Sequence, residues 1–153
     1  MRLLIVRHGD PDYSIDSLTE KGWKEAEYLS ERLSKLDVKD FYVSPLGRAK
    51  DTASFTLKKM NRTAVECDWL REFDVLIDRP DVTDRQKRLW DWLPQDMEKD
   101  LDLYDRERWN KTDIMRKGNV EEAYRWVCDG LDALLKKHGY ERDDMYYRVN
   151  EPN

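Results

Sequence analysis

Cysteine is scarce in this chain of 153 residues: Cys67 and Cys128 are the only two, and neither stands in a CxxC pair. A disulfide framework, a zinc ribbon or other metal centre and a dithiol redox site therefore have no support, and the two read as reduced thiols of a cytoplasmic protein. Long apolar runs are missing as well. The N-terminal run Leu3-Leu4-Ile5-Val6 is too short for a signal-peptide core, and nothing approaches the roughly 20 apolar residues of a membrane span. There is no basic excess either: 28 Lys and Arg stand against 33 Asp and Glu, a net charge of -5, which disfavours nucleic acid as a partner. Internal repeats, low-complexity linkers and sustained heptads are lacking. Low hydrophobicity alone would suggest disorder, but six Trp and eight Tyr supply the bulky side chains that disordered chains lack. The expectation is one soluble α/β domain over residues 1–153, of ordinary size for a single core.

What is present begins with that short apolar run. Two of its residues, Ile5 and Val6, are β-branched, so the run predicts a strand buried on both faces, left sharply at Gly9. Ligands of open α/β sheets sit beyond the carboxyl ends of strands, where Arg7 and His8 would emerge. Asp10 to Ser14 is rich in turn formers and predicts a loop over that strand end. Thr19 can cap a helix in which Ala26, Leu29, Leu33 and Leu36 recur at helical spacing. Phe41 to Val43 reads as a second strand and Ala64 to Cys67 as a third, most simply parallel. Between them a helix begins near Gly47, with Ala49, Ala53, Leu57 and Met60 as its apolar positions. Arg48 in its first turn, beside the unpaired N–H groups of the helix start, suits a phosphate. Glu72, between Leu70 and Phe73, is by itself more often a surface glutamate, the alternative being a partly buried carboxyl that burial would turn into a useful proton donor.

From Asp78 to Gly118 strand periodicity disappears. Trp90, Trp92 and Trp109 are scattered among charged residues, with Pro80 and Pro94 as breakers, which predicts two or three short helices in an insertion that covers the site. Asn119 then opens a clearer helix with Val120, Ala123, Val127, Leu131, Leu134 and Leu135 as its stripe, ended by Gly139. Met145 to Val149 is a candidate last strand.

Four segments, in order, resemble the histidine phosphatase superfamily, the phosphoglycerate mutase-like proteins. They are Leu4-Ile5-Val6-Arg7-His8-Gly9; Leu18-Thr19 with Gly22; Ser44, Arg48 and Ala49 with Thr52-Ala53; and Leu70 with Glu72. The resemblance implies a three-layer α/β/α fold with a mostly parallel sheet. It also implies a phosphomonoester phosphatase that uses no cofactor and passes a phosphoryl group through a phosphohistidine. In that reading His8 is the nucleophile, Arg7 and Arg48 hold the phosphoryl oxygens, and Glu72 protonates the leaving oxygen and then activates water. Ser14 stands in the loop where many mutase members carry Asn and is placed with the phosphate ligands. The substrate is a small phosphorylated compound, and an oligomer is compatible with the chain. Mutase-type transfer, a phosphate-binding module without turnover and a structural α/β domain are the alternatives. The family's second catalytic histidine follows a late apolar strand, whereas His138-Gly139 follows a helical stripe. His138 is therefore expected as a helix end, and the last strand and helix of the fold as missing, leaving a sheet edge unpaired and apolar surface uncovered.

Overall fold

The computed structural model describes residues 1–82 and 84–150. The chain forms two compact units, Met1–Arg71 and a second that begins at Glu72.

In the first unit a two-residue antiparallel ladder joins β1 (Pro11–Asp12) to β2 (Ser17–Leu18). Helix α1 (Glu20–Leu33) follows directly. Its start is the expected one: the Thr19 hydroxyl accepts the Gly22 N–H at 3.1 Å, and Glu20 places negative charge near the positive helix end. Lys24 pairs back to Glu20 at 2.7 Å, the i, i+4 spacing that steadies an exposed face. The buried positions of α1 are Gly22, Ala26 and Ser30, one small residue per turn, while Leu36 lies beyond the helix and is exposed. Small residues let a neighbouring backbone come close. Helix α2 (Gly47–Met60) packs on α1, and the Trp23 ring meets Phe55 edge-on with centroids 5.9 Å apart. Asn61, in the left-handed region with φ 51°, ends α2.

Strand β3 (Tyr42–Val43) precedes α2 and β4 (Val65–Glu66) follows it, and the two pair in parallel as expected. Two sequence expectations fail here. Leu3 to Val6 form no strand, and their exposures of 52, 43, 89 and 47% replace the predicted two-sided burial. β-Branching suits a pleated, half-buried surface but becomes a strand only when a neighbour supplies ladder bonds and cover; the parallel ladder spans only Tyr42↔Val65 and Val43↔Glu66. On α2 the buried face is Arg48, Thr52 and Thr56, one position away from the predicted Ala49, Ala53, Leu57 stripe. Alanines carry too little side chain to decide a helix's rotation.

The second unit is built on Ile77, Trp92, Met115 and Val120, with Phe73, Val75, Leu89 and Trp109 packed around them. Strands β5 (Leu76–Ile77) and β6 (Lys87–Arg88) form an antiparallel ladder, so the stretch after Asp78 does contain a strand. Its helical pieces are short, as the sequence predicts: α3 (Pro94–Met97), α4 (Asp113–Lys117) and single turns at Leu89–Asp91, Leu101–Tyr104 and Trp109–Lys111. Arg79, 6% exposed, is held by a forked contact, Nε to Asp81 Oδ1 at 3.0 Å and Nη2 to Oδ2 at 2.5 Å. Its partner stands two residues on, a spacing the aromatic scatter of this stretch obscures.

Helix α5 (Val120–Lys137) joins that core through Val120 and buries Leu134 and Leu135 near its other end, and its C-cap is His138, followed by Gly139 at φ 82°. His138 is thus a helix end, as the stripe predicts. A hairpin then joins β7 (Tyr140–Asp143) to β8 (Tyr146–Val149), of which the sequence pattern predicts only the second strand. Among the described residues parallel pairing is confined to β3 and β4, and the other three ladders are antiparallel, so the mostly parallel sheet is not what these short strands form. The fold class is mixed α/β. No described helix is long and apolar enough to cross a membrane.

The hairpin is tied to α5 by two carboxylates, Glu141, which accepts from Lys136 Nζ at 2.5 Å, and Asp132. Asp132 accepts from Arg142 Nε at 2.5 Å and from the Tyr147 hydroxyl at 2.6 Å. The Arg142 bond first, then the Tyr147 bond, holds Asp132 below its ordinary value of 3.8 despite partial burial. A lowered folded value means stability that is complete above the unfolded value and lost as pH falls through the folded one. Asp132→Asn should therefore cost up to about 1 kcal/mol at neutral pH, the scale of a partly exposed ion pair. Urea melts should show the variant and the wild type converging as pH drops below 3.8. A difference that persists in acid would mean packing, not charge, ties the hairpin down.

Candidate active site

His8 lies half-buried shortly before β1. Its Nδ1 is 2.8 Å from the Gly9 carbonyl oxygen. A carbonyl only accepts, so Nδ1 carries the proton in this contact and Nε2 keeps the ring's lone pair. The next peptide is held as well: Gly9 N–H donates to Thr52 Oγ1 at 2.9 Å, and that hydroxyl donates to the Arg48 carbonyl at 2.7 Å. Thr52 thus fastens the turn after His8 to the first turns of α2.

Asp10 fastens it to α1. Its carbonyl accepts the Thr19 N–H at 3.0 Å, its carboxylate accepts from the Thr19 hydroxyl at 2.7 Å, and its N–H donates to Glu25 Oε2 at 2.9 Å. Lys21 lies 3.4 Å from Glu25 and 3.8 Å from Asp10. This crossing requires glycine at two places. A Cβ on Gly22 would stand 2.2 Å from the Asp10 carbonyl oxygen, and one on Gly9 would stand 2.9 Å from that of Gly22.

Gly22→Ala supplies a test of sign. Helix propensity alone favours alanine by about 1 kcal/mol, whereas a side chain forced against fixed backbone costs about 1–3 kcal/mol. The close atom is a carbonyl oxygen that cannot rotate away, so a net loss of stability is expected in a denaturant titration. Unchanged or raised stability would show that the loop yields freely.

Arg7, His8, Gly9, Asp10, Pro11 and Glu25 line an open cleft of about 250 Å³. Arg7 is exposed at its mouth, so the structure brings the predicted cation and imidazole together. Arg48 is not among the lining residues. It is buried at 7%, with Nη1 donating to Asp16 Oδ1 at 2.7 Å and its guanidinium carbon 5.3 Å from the Tyr13 ring centre. The other Asp16 oxygen accepts the Gly47 N–H at 2.7 Å. A carboxylate therefore occupies the start of α2, where the sequence suggested an anion. That Gly47 bond chiefly, with Arg48, holds Asp16 below the usual carboxylate range against the effect of burial.

Ser14 is exposed, and both its N–H, at 3.0 Å, and its hydroxyl, at 2.6 Å, donate to Asp12 Oδ1. These two bonds lower the Asp12 pKa. Ser14 is thereby engaged by an acidic side chain. Glu72 belongs to the second unit and is exposed, not partly buried; Leu70 is itself 37% exposed, so the apolar flank that was to bury the carboxyl does not close. Sequence reasoning missed Asp16, Thr52 and Glu25. Only Thr52, inside a quoted motif, carried a signal; the others act through space. Among the described residues no group of three or more His, Cys, Asp and Glu is placed to hold a metal ion.

Comparison with known proteins adds an independent line. Residues 3–139 match the model of the histidine phosphatase superfamily (branch 1). A 2,3-bisphosphoglycerate-dependent phosphoglycerate mutase of Thermoplasma acidophilum is 35% identical over 72 residues, covering 40% of this chain and 36% of that protein. The mitochondrial serine/threonine-protein phosphatase Pgam5 of Drosophila yakuba is 34% identical over 90 residues, covering 52% and 31%. The chain thus spans about a third of the length of these relatives. Among solved structures, a mycobacterial glucosyl-3-phosphoglycerate phosphatase matches with a TM-score of 0.40 and 26% identity, over 52% of this chain and 40% of the other.

Proposed function

The chain belongs to the histidine phosphatase superfamily, branch 1, and from that premise we propose that it is a phosphomonoester phosphatase working through phosphorylated His8. The observation that carries this is the Nδ1 contact to the Gly9 carbonyl at 2.8 Å, which leaves Nε2 as the nucleophilic nitrogen. In the first step Nε2 forms a bond to phosphorus while the ester P–O bond breaks, and Glu72 gives its proton to the departing oxygen. Water then attacks the phosphohistidine, Glu72 takes a proton from it, the P–N bond breaks, and inorganic phosphate leaves. Arg7 and Arg48 neutralise the phosphoryl oxygens, the contribution on which phosphoryl transfer chiefly depends. Ser14 is a further phosphate contact once released from Asp12. Glu72 enters on its sequence segment, Leu70 to Glu72.

The names of the relatives place their substrates among small phosphorylated metabolites and phosphoproteins, and a small phosphomonoester is the substrate class proposed for this chain. A second reading, an anion cradle of Arg7, His8 and Arg48 without turnover, is favoured by the exposure of Glu72, the proposed proton donor. One experiment separates them. Rapid quench after mixing with a phosphorus-labelled phosphomonoester should trap an acid-labile, alkali-stable adduct that peptide mapping places on His8. Label on a serine or a carboxylate would refute the mechanism, and vanadate binding without any label would favour the cradle.

A further inference from the structure

Helix α2 starts without a cap of its own, since Leu46 at its N-cap makes no side-chain bond. Asp16, 31 residues earlier, takes over: one carboxylate oxygen accepts the Gly47 N–H and the other accepts from Arg48 Nη1, both at 2.7 Å. The loop that carries Asp16 is pinned. Asp16 sits at φ 48°, a conformation that Asp and Asn tolerate better than most residues. Ser17 Oγ donates to Asp51 Oδ2 at 2.5 Å, and α2 approaches so closely that a Cβ on Gly47 would stand 2.1 Å from the Asp16 carbonyl oxygen. On the His8 side, Thr52 joins the Arg48 carbonyl to the Gly9 N–H. The turn of helix that bears Arg48 is thus bound both to the peptide after His8 and to Asp16.

We propose that Asp16 is a positioning residue, its carboxylate holding the Arg48 guanidinium in the plane in which it receives the phosphoryl group. This rests on the reading of Arg48 as a phosphate ligand. A guanidinium offers five N–H donors in a rigid fork, so one oxygen on Nη1 sets the direction of the whole group. Without it a long flexible side chain must be ordered when the phosphate arrives, and binding weakens accordingly. The alternative, that Asp16 competes with phosphate for Arg48, requires the carboxylate to swing away. Its left-handed backbone, the Gly47 bond and the neighbouring Ser17–Asp51 bond oppose that movement.

Inorganic vanadate binding to the full chain tests the inference through a double-mutant cycle of Asp16→Asn and Arg48→Ala. Asparagine keeps the positive φ and caps a helix about as well as aspartate, so this variant removes mainly the charge. Asp16→Asn should bind vanadate about tenfold more weakly, the scale of one lost charge-assisted hydrogen bond. Arg48→Ala should lose at least as much, and the double variant should match Arg48→Ala alone, because Asp16 acts through Arg48. Additive losses would assign Asp16 a merely structural role and overturn the inference. Unchanged or tighter binding in Asp16→Asn would overturn it too, leaving the phosphate reading in place. A wild-type chain that binds no vanadate would remove that reading, and the inference with it. Should Asp16→Asn fail to fold, Asp16→Gly, equally at ease at positive φ, is read in the same cycle.

Discussion

Replacing His8 with alanine is expected to lower phosphomonoester turnover by about 10⁴-fold or more, the scale on which covalent catalysts fail when their nucleophile is removed. The same variant should trap no acid-labile phosphate. The imidazole is half-buried and its one described bond is to the adjacent Gly9 carbonyl, so its loss should leave the loop in place, since Thr52 and Asp10 hold Gly9 and Thr19 through bonds that do not involve the ring. Vanadate binding should weaken less than turnover does. Steady-state kinetics with a nitrophenyl phosphate, beside a denaturation midpoint, make the measurement. Turnover within tenfold of wild type would end the proposal that His8 is the nucleophile.

Glu72→Gln should separate proton transfer from phosphate binding. Positioned general acids contribute about 10²- to 10⁴-fold, and that loss should appear with an alkyl phosphate, whose alkoxide leaves poorly unless protonated. A nitrophenyl phosphate needs no such help, so its turnover should fall far less, and vanadate affinity should hold. The exposure of Glu72 makes the comparison informative, because the amide is introduced outside the buried core of its unit. Equal losses for the two substrates would remove Glu72 from the acid role and direct attention to another carboxylate.

Much of the local structure was legible. Thr19 capping α1, Gly139 ending α5, the parallel pairing of β3 with β4 and the helical nature of the approach to His138 were all readable in advance. Each is decided within a few residues or by an unambiguous pattern. The motif order that points to the superfamily was legible for the same reason. The buried face of α2 was not, since its positions of interest are alanines, threonines and an arginine whose burial at 7% depends on Asp16 and Tyr13 lying beside it. Nor was the fate of Leu3 to Val6, because an apolar run states a preference for cover without supplying the cover. Leu70 and Phe73 flank Glu72 in the chain without enclosing it, and the carboxyl is exposed.

By itself, then, the sequence determined the start of α1 at Thr19, the end of α5 at Gly139, the mixed α/β class, and which imidazole, cations and carboxylates are available. Caps, periodicity and motif spacing act through bonds a few residues long. Only the tertiary structure decided that the His8 Nδ1–H turns to the Gly9 carbonyl, that Gly22 admits the Asp10 backbone, and that a carboxylate from the β1–β2 loop stands between the start of α2 and Arg48. Asp16 and Arg48 are 32 residues apart. A pairing across that separation exists only once the loop has been laid against the helix, and neither side chain's own neighbourhood in the chain announces it.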